Sequence, residues 1–153
     1  MSVRDEIRAA VASLALRPEQ FSEVPEDEAR PLFESFLSRF TGGVDRRWWW
    51  EHFTLPASTI RFEDGRAFTR LSALVPDAES KVWFVAEDAD LAFFPVFDAT
   101  PAAAQQVIGE CYFFEYYLIS KDLSWLLCEN HHDTMFAVGT AVQRVQKMPR
   151  RPA

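Results

Sequence analysis

The residues of this chain best equipped for chemistry lie together in its last third. Between Cys111 and Gly139, the aromatic side chains of Tyr112, Phe113, Phe114, Tyr116, Tyr117, Trp125 and Phe136 surround the polar segment Glu129-Asn130-His131-His132-Asp133. Two of the three histidines are adjacent there. An imidazole changes charge near neutral pH, so next to a carboxylate it can accept or donate a proton. Glu115 stands inside the run Tyr112-Phe113-Phe114-Glu115-Tyr116-Tyr117. A carboxylate in so apolar a strand is costly unless it is paired, and burial moves its pKa toward the range of a general acid. No catalytic residue is assigned; if the protein is an enzyme, Glu115 and His132 are the candidates. Glu129, His131, His132, Asp133, Tyr116 and Trp125 are the candidate ligand-binding residues. The bland alternative puts Glu115 on an exposed sheet face, or satisfied by a Tyr or Arg, with Asn130 and Asp133 bonding the backbone of a hairpin turn.

Other chemistries fit the residues less well. His132 with Cys128, or His131 with Glu129 and Asp133, could begin a metal site, and His52 could join if the fold brings it near. Zinc takes three or four protein ligands, and the spacing here matches no zinc signature. No metal and no cofactor are expected. Glu115 and Glu129 could flank a glycosidic bond, but nothing in the spacing sets their separation. The chain has no Gly-rich phosphate loop, nucleophile elbow or dinucleotide fingerprint, and only 5 glycines. Arg46-Arg47 beside Trp48-Trp49-Trp50 resembles a stacking platform for nucleic acid. Core packing with cation–π contact is the favoured reading, because the chain is acidic and has no wider basic patch.

These side chains need a sheet to hold them. Cys111 to Ile119 reads as a strand with apolar residues on both faces, hence central and covered on each side. Trp125 to Asn130 returns beside it, and Thr134 to Gly139 makes the next strand. A turn centred between Lys121 and Asp122 places Tyr117 opposite Leu126, Glu115 opposite Cys128 and Cys111 opposite His132. The two cysteines are then about 13 Å apart along the strands, beyond disulfide reach. Both read as buried free thiols. Lys81 to Ala86 and Leu91 to Phe97 form a hairpin around Glu87-Asp88-Ala89-Asp90.

Helices precede and interrupt the strands. Ser2 caps a helix whose apolar positions Val3, Ile7, Val11 and Leu14 share a face. A second begins near Pro25, with Glu26, Asp27 and Glu28 in its dipole-favoured first turn. Pro31 kinks it or starts its second piece, and Gly42-Gly43 stops it. Arg46 to Phe53 resists assignment; three successive Trp side chains cannot share a face, so the segment bridges two layers. Phe68, Leu71 and Leu74 form a short helix, and Thr100-Pro101 opens another that runs to about Gly109. A last short helix covers Thr140 to Lys147. The expected fold is α+β: one domain over residues 1–147, an antiparallel sheet of about five strands, and N-terminal helices mainly on one face. Residues 148–153 are expected to be a flexible basic tail.

Composition bounds the function. The chain has 153 residues, 48% hydrophobic and 14% aromatic, enough for a real core. Its formal charge of −7 disfavours nucleic acid and anionic membrane surfaces and favours a basic partner. No apolar run is long enough to span a membrane, and Asp5, Glu6 and Arg8 interrupt any leader-like segment. Location in the cytoplasm is expected. Glu26, Asp27 and Glu28, with Glu87, Asp88 and Asp90, are the candidate partner-binding residues, on a helix and a hairpin respectively. The oligomeric state is left as monomer or homodimer.

Tyr116-Tyr117-Leu118-Ile119-Ser120, Trp125-Leu126-Leu127-Cys128-Glu129-Asn130-His131-His132-Asp133 and the closing Val138-Gly139 resemble a family of small uncharacterised bacterial proteins. The resemblance reaches back to Lys81-Val82-Trp83-Phe84-Val85, about the C-terminal half. It implies no activity and transfers no catalytic residue. The expectation is a non-enzymatic cytoplasmic interaction protein, immunity- or antitoxin-like, that covers a basic partner with its acidic surface. The alternative is an enzyme or small-ligand protein using Glu115, Glu129, His131 and His132.

Overall fold

The computed structural model describes residues 2–43 and 48–148. Its centre is a seven-stranded antiparallel sheet in the order β1-β4-β3-β5-β6-β7-β2. The strands are β1 (Phe21–Glu23), β2 (Ala57–Arg61), β3 (Val82–Ala86), β4 (Val96–Ala99), β5 (Tyr116–Ser120), β6 (Trp125–Glu129) and β7 (Thr134–Gly139). The α-helices are α1 (Val3–Ser13), α2 (Glu26–Phe40), α3 (Leu71–Leu74), α4 (Pro101–Glu110) and α5 (Val142–Lys147). The α+β expectation holds, but seven strands replace about five. The two additional ones, β1 and β2, are the sheet's edges. Edge strands are short and half-exposed, so neither carries a clear apolar alternation.

Strand periodicity sorts the core into two layers. Val82, Phe84, Tyr116, Leu118, Leu127, Met135 and Ala137 face one way and pack with Ile7 and Ala10 of α1, Leu71 and Leu74 of α3, Val107 of α4 and Val145 of α5. Val85, Val96, Tyr117, Ile119, Leu126, Cys128 and Val138 face the other way and pack with Ala29, Phe33, Phe36, Leu37 and Phe40 of α2 and with Trp49. The two N-terminal helices therefore lie on opposite faces of the sheet, not mainly on one. Every residue of β5 and β6 is buried, as expected of central strands covered on both sides. Each fully buried Leu, Ile or Phe contributes roughly 1.5–3 kcal/mol to this arrangement.

Local chemistry sets the element ends. The Ser2 hydroxyl accepts from the Asp5 N–H and caps α1, and the Thr100 hydroxyl accepts from the Ala103 N–H and caps α4. Helix α2 runs through Pro31 as one element. The carbonyl that Pro31 leaves without a helical donor belongs to Asp27, which is exposed, so water can supply the missing bond. Helix α4 carries the chain from β4 to β5 across β3, so β4 and β5 run parallel with β3 between them. That crossover extends α4 to Glu110 and makes Cys111 its C-cap, so Cys111 precedes the strand instead of starting it.

The β5–β6 register also differs from expectation. Tyr117 faces Cys128 and Tyr116 faces Glu129, a slip of two residues. The connection is Lys121 to Ser124, with Leu123 at φ 59°. Ser120 Oγ accepts from the backbone of Ser124 and Trp125, and Asp122 accepts from Ser124. These side chains build a longer loop than a two-residue turn. The slip is even, so every side chain keeps its expected face. Cys111 and Cys128 are both free thiols. The β3–β4 connection is also longer, residues 87–95, and Asp88 organises it from inside.

Candidate functional site

The β6–β7 turn carries the two histidines. Asn130 is buried, and its Oδ1 accepts from the backbone N–H groups of His132 and Thr134. Asp133 closes the turn at φ 57°, and its N–H donates to the Asn130 carbonyl. This is the polar turn expected of Asn130. Asp133 acts there through its backbone conformation, which Asp tolerates better than most residues. The turn brings the rings of His131 and His132 to 4.0 Å between centroids, so they share one side of the molecule.

His131 reaches the end of β5. Its backbone N–H donates to Glu115 Oε2 at 3.0 Å, and its Nδ1 lies 3.0 Å from the same oxygen. A carboxylate oxygen only accepts, so in this bond Nδ1 is the donor. The Glu115 side chain is 6% exposed and that of His131 40% exposed. The other carboxylate oxygen, Oε1, is shut away from solvent and has no hydrogen-bond partner. Leaving such a group unpaired costs about 1–3 kcal/mol or more. Of the two adjacent histidines, His131 is the one hydrogen-bonded to Glu115.

The tryptophan segment walls this pair. Trp48 sits at φ 65°, a left-handed conformation that is uncommon for a bulky residue, and a 3₁₀ turn follows over Trp49–Glu51. Trp49 plunges into the α2 layer against Tyr117, at 4.4 Å between centroids. Its neighbours diverge from it: Trp48 packs on His131 at 5.6 Å, and Trp50 packs on His131, His132 and Phe136 at 5.8, 6.0 and 5.7 Å. Trp49, Trp50 and Phe53 nonetheless all pack in the α2 layer, so these residues do not bridge the two layers. Arg46 and Arg47, the cationic part of the supposed stacking platform, lie outside the described residues.

A pocket of about 370 Å³ opens beside Glu115 and His131, lined also by Val3, Trp48, Glu87, Ala89, Phe113 and Phe114. Phe113 is 55% exposed and its neighbour Tyr112 88% exposed, the two large hydrophobics left in solvent among the described residues. Sequence reasoning missed Trp48, Phe113 and Phe114 as pocket walls. The signal was the run Tyr112-Phe113-Phe114-Glu115, which has too many aromatics for one buried strand face.

Other candidates fall elsewhere. Glu129 faces the opposite side of the sheet from Glu115, where the Tyr116 hydroxyl donates to its Oε1 at 2.6 Å. Burial raises the Glu129 pKa from its ordinary value, the Tyr116 bond opposes that, and Asp133 adds to it. Tyr116 is fully buried, and burial raises its own pKa well above the usual one. Glu129 and Tyr116 form a structural pair inside the core. Trp125 starts β6 opposite Gly139, at the other end of the strand from Glu129, and lines a different cleft of about 670 Å³. Larger volume does not make that cleft the better site. Its carboxylates are engaged by their own loops, Asp77 with Ser80 and Asp122 with Ser124. Among the described residues, no three His, Cys, Asp or Glu side chains converge on a point that could hold a metal ion.

The acidic candidates divide as well. Glu26, Asp27 and Glu28 are exposed in the first turn of α2. Asp27 and Glu28 edge an open groove of about 650 Å³ that also includes Leu32 and Trp83. Asp90 is exposed, and Glu87 is half-buried beside the pocket of Glu115. Asp88 is 2% exposed and accepts from the backbone N–H groups of Arg4 and Asp90. It tethers α1 to the β3–β4 loop and presents no charge to a partner.

The model of a family of unknown function, DUF6756, matches residues 1–149. The chain belongs to this family. The match takes in the N-terminal helices as well as the C-terminal strands, so membership extends well beyond the half that carries the Trp-Leu-Leu-Cys-Glu-Asn-His-His-Asp segment. Comparison with curated proteins and with solved structures finds no match. No helix among the described residues is long and apolar enough to cross a membrane.

Proposed function

We propose that this member of DUF6756 is a non-enzymatic cytoplasmic interaction protein that binds a basic protein partner through acidic surface, in the manner of an immunity or antitoxin protein. One observation carries this reading. Glu26, Asp27 and Glu28 stand exposed at the start of α2, and Asp27 and Glu28 line an open groove that includes Trp83 and Leu32. None of the three carboxylates makes an ion pair or side-chain hydrogen bond among the described residues. Carboxylates left without internal partners beside apolar surface suit a partner carrying Lys or Arg around an aromatic or aliphatic anchor. The kinship to immunity proteins is an analogy from size and charge.

The test is quantitative capture from lysate of the source cells, with wild type and the triple variant E26Q/D27N/E28Q. The expected result is one basic protein held near 1:1 by wild type. It should be lost by the variant and bind at least about tenfold more weakly as salt rises from about 50 to about 500 mM. Equal capture by variant and wild type, or the absence of a stoichiometric basic partner under all growth conditions, would refute the reading.

A second reading, as a small-ligand protein or enzyme, is favoured by the Glu115–His131 pair. A carboxylate that fixes one imidazole nitrogen leaves the other to accept or donate a proton to whatever occupies the pocket. Glu129 has no part in this reading, because the sheet separates it from the pocket.

A further inference from the structure

The groove beside α2 carries opposite charge on its two sides. Asp27, Glu28 and Leu32 of α2 line one side, and Asp98 of β4 and Trp83 of β3 line the other. Asp27 and Glu28 are exposed, and neither makes an ion pair or side-chain hydrogen bond among the described residues. On the strand side the balance is reversed. The ammonium groups of Lys81 and Lys121 lie 3.4 and 2.8 Å from the two oxygens of Asp98. Two cations share one carboxylate, so one positive charge is left over. The three side chains are 30–38% exposed, so that charge reaches the surface. Lys121 also lies 3.4 Å over the Trp83 ring, which holds it at the groove. Leu32 and Trp83 pack on the core from one side and are half-buried.

A groove that is negative on one side, positive on the other and apolar between them is complementary to itself. A two-fold axis through it sets the α2 side of each copy against the strand side of the other, so every contact occurs twice. We propose that this groove is the interface of a homodimer, in which Asp27 and Glu28 of one copy meet Lys81 and Lys121 of the other around Leu32 and Trp83. A purely basic occupant would answer the α2 side and oppose the lysines. A purely acidic one would do the reverse. A second copy answers both sides at once. The charge of −7 on each copy opposes association at long range, so the dimer should be held by these local contacts and form at about 1–100 μM. This inference goes beyond the basic-partner reading, and a basic partner at the start of α2 would have to displace the second copy.

Sedimentation of the full chain from about 1 to about 500 μM tests this. Wild type should pass from monomer to a closed dimer as concentration rises. The variant D27K/E28K makes both sides of the groove basic. Lys81→Glu makes both sides acidic and leaves Asp98 the closer of its two lysines, Lys121. Each variant alone should associate at least about tenfold more weakly than wild type. Mixed in equal amounts, the two should form a dimer again, because each side then meets its opposite. An unfolded variant could not do this, so recovery separates lost complementarity from lost structure. A wild type still monomeric at the highest concentration would overturn the inference. So would dimers that neither variant weakens, or weakened ones that mixing fails to restore. Growth into larger assemblies would rule out the closed two-fold contact. The basic-partner reading would survive a monomeric result, since its own test is capture of that partner by the same carboxylates.

Discussion

His131 holds Glu115 twice, through its backbone N–H and through Nδ1, each at 3.0 Å from one carboxylate oxygen. Sixteen positions separate the two residues. The bonds tie the β6–β7 turn to the chain that enters β5, and so fix the mouth of the pocket. Their loss should be graded. Glu115→Ala removes both bonds and should lower stability by about 1–3 kcal/mol. His131→Ala removes only the bond from a ring that is 40% exposed and keeps the backbone one, so it should cost less. Urea unfolding of both variants checks the order. A larger loss for His131→Ala would mean that the ring, not the tether, carries the stability.

Glu129 gives the fold a measurable pH dependence. Burial is the leading cause that raises its folded pKa above the ordinary 4.5. The folded state therefore holds this proton more tightly than the unfolded chain. The resulting stabilisation is fully present below about pH 4.5 and is lost as pH rises through the raised value. Glu129→Gln, which keeps an acceptor for the Tyr116 hydroxyl, should remove this contribution and flatten that part of the profile. Tyr116→Phe deletes a bond that favours the charged form. It should cost about 1–3 kcal/mol at pH 7 and less at pH 4. Unfolding curves at both pH values decide the matter. An equal loss at the two would show that Glu129 does not titrate between them.

Gly139 ends β7 at φ +68°, and a Cβ there would stand 2.2 Å from the Ser124 carbonyl oxygen. That atom belongs to backbone at the start of β6 and cannot swing aside. Gly139→Ala should cost at least about 2 kcal/mol, from left-handed strain together with the clash. Gly43, at φ +87°, has nothing near its missing Cβ. Gly43→Ala should cost about 1–2 kcal/mol, from backbone strain alone. Thermal melts of the two variants compare them directly, and equal losses would discount the Ser124 contact.

Both thiols should be unreactive in the native protein. Cys128 is fully buried, and burial raises its pKa well above the ordinary value. Cys111 is pushed up to about 11, chiefly by burial and then by Glu6 and Glu110. Thiolate is the reactive form, so native alkylation at pH 8 should be slow at both and rapid after unfolding. Fast native modification of one thiol, located by peptide mass, would contradict this.

Much of this protein was legible in its sequence, because local chemistry and periodicity decide local structure. Ser2 and Thr100 mark helix starts, since their hydroxyls satisfy free N–H groups. Apolar residues at helical spacing give α1 and α2, and the doubly apolar segments give the buried central strands β5 and β6. Composition gives an acidic chain with ample core, and Asn130 gives the turn between β6 and β7.

Tertiary structure alone decided which of these features meet. Side-chain oxygens of Ser120 and Asp122 lengthened the β5–β6 loop and moved the register by two residues. Strand alternation then set Glu129 against Tyr116 in the core, on the far side of the sheet from Glu115. Pairing at the edges recruited β1 and β2, whose few residues carry no strong pattern of their own. The pocket draws on α1, the tryptophan segment, the β3–β4 loop, the approach to β5 and the β6–β7 turn. Periodicity reports which face of its own element a residue occupies. It cannot report which distant element lies against that face, because that depends on how all the apolar surfaces are buried together.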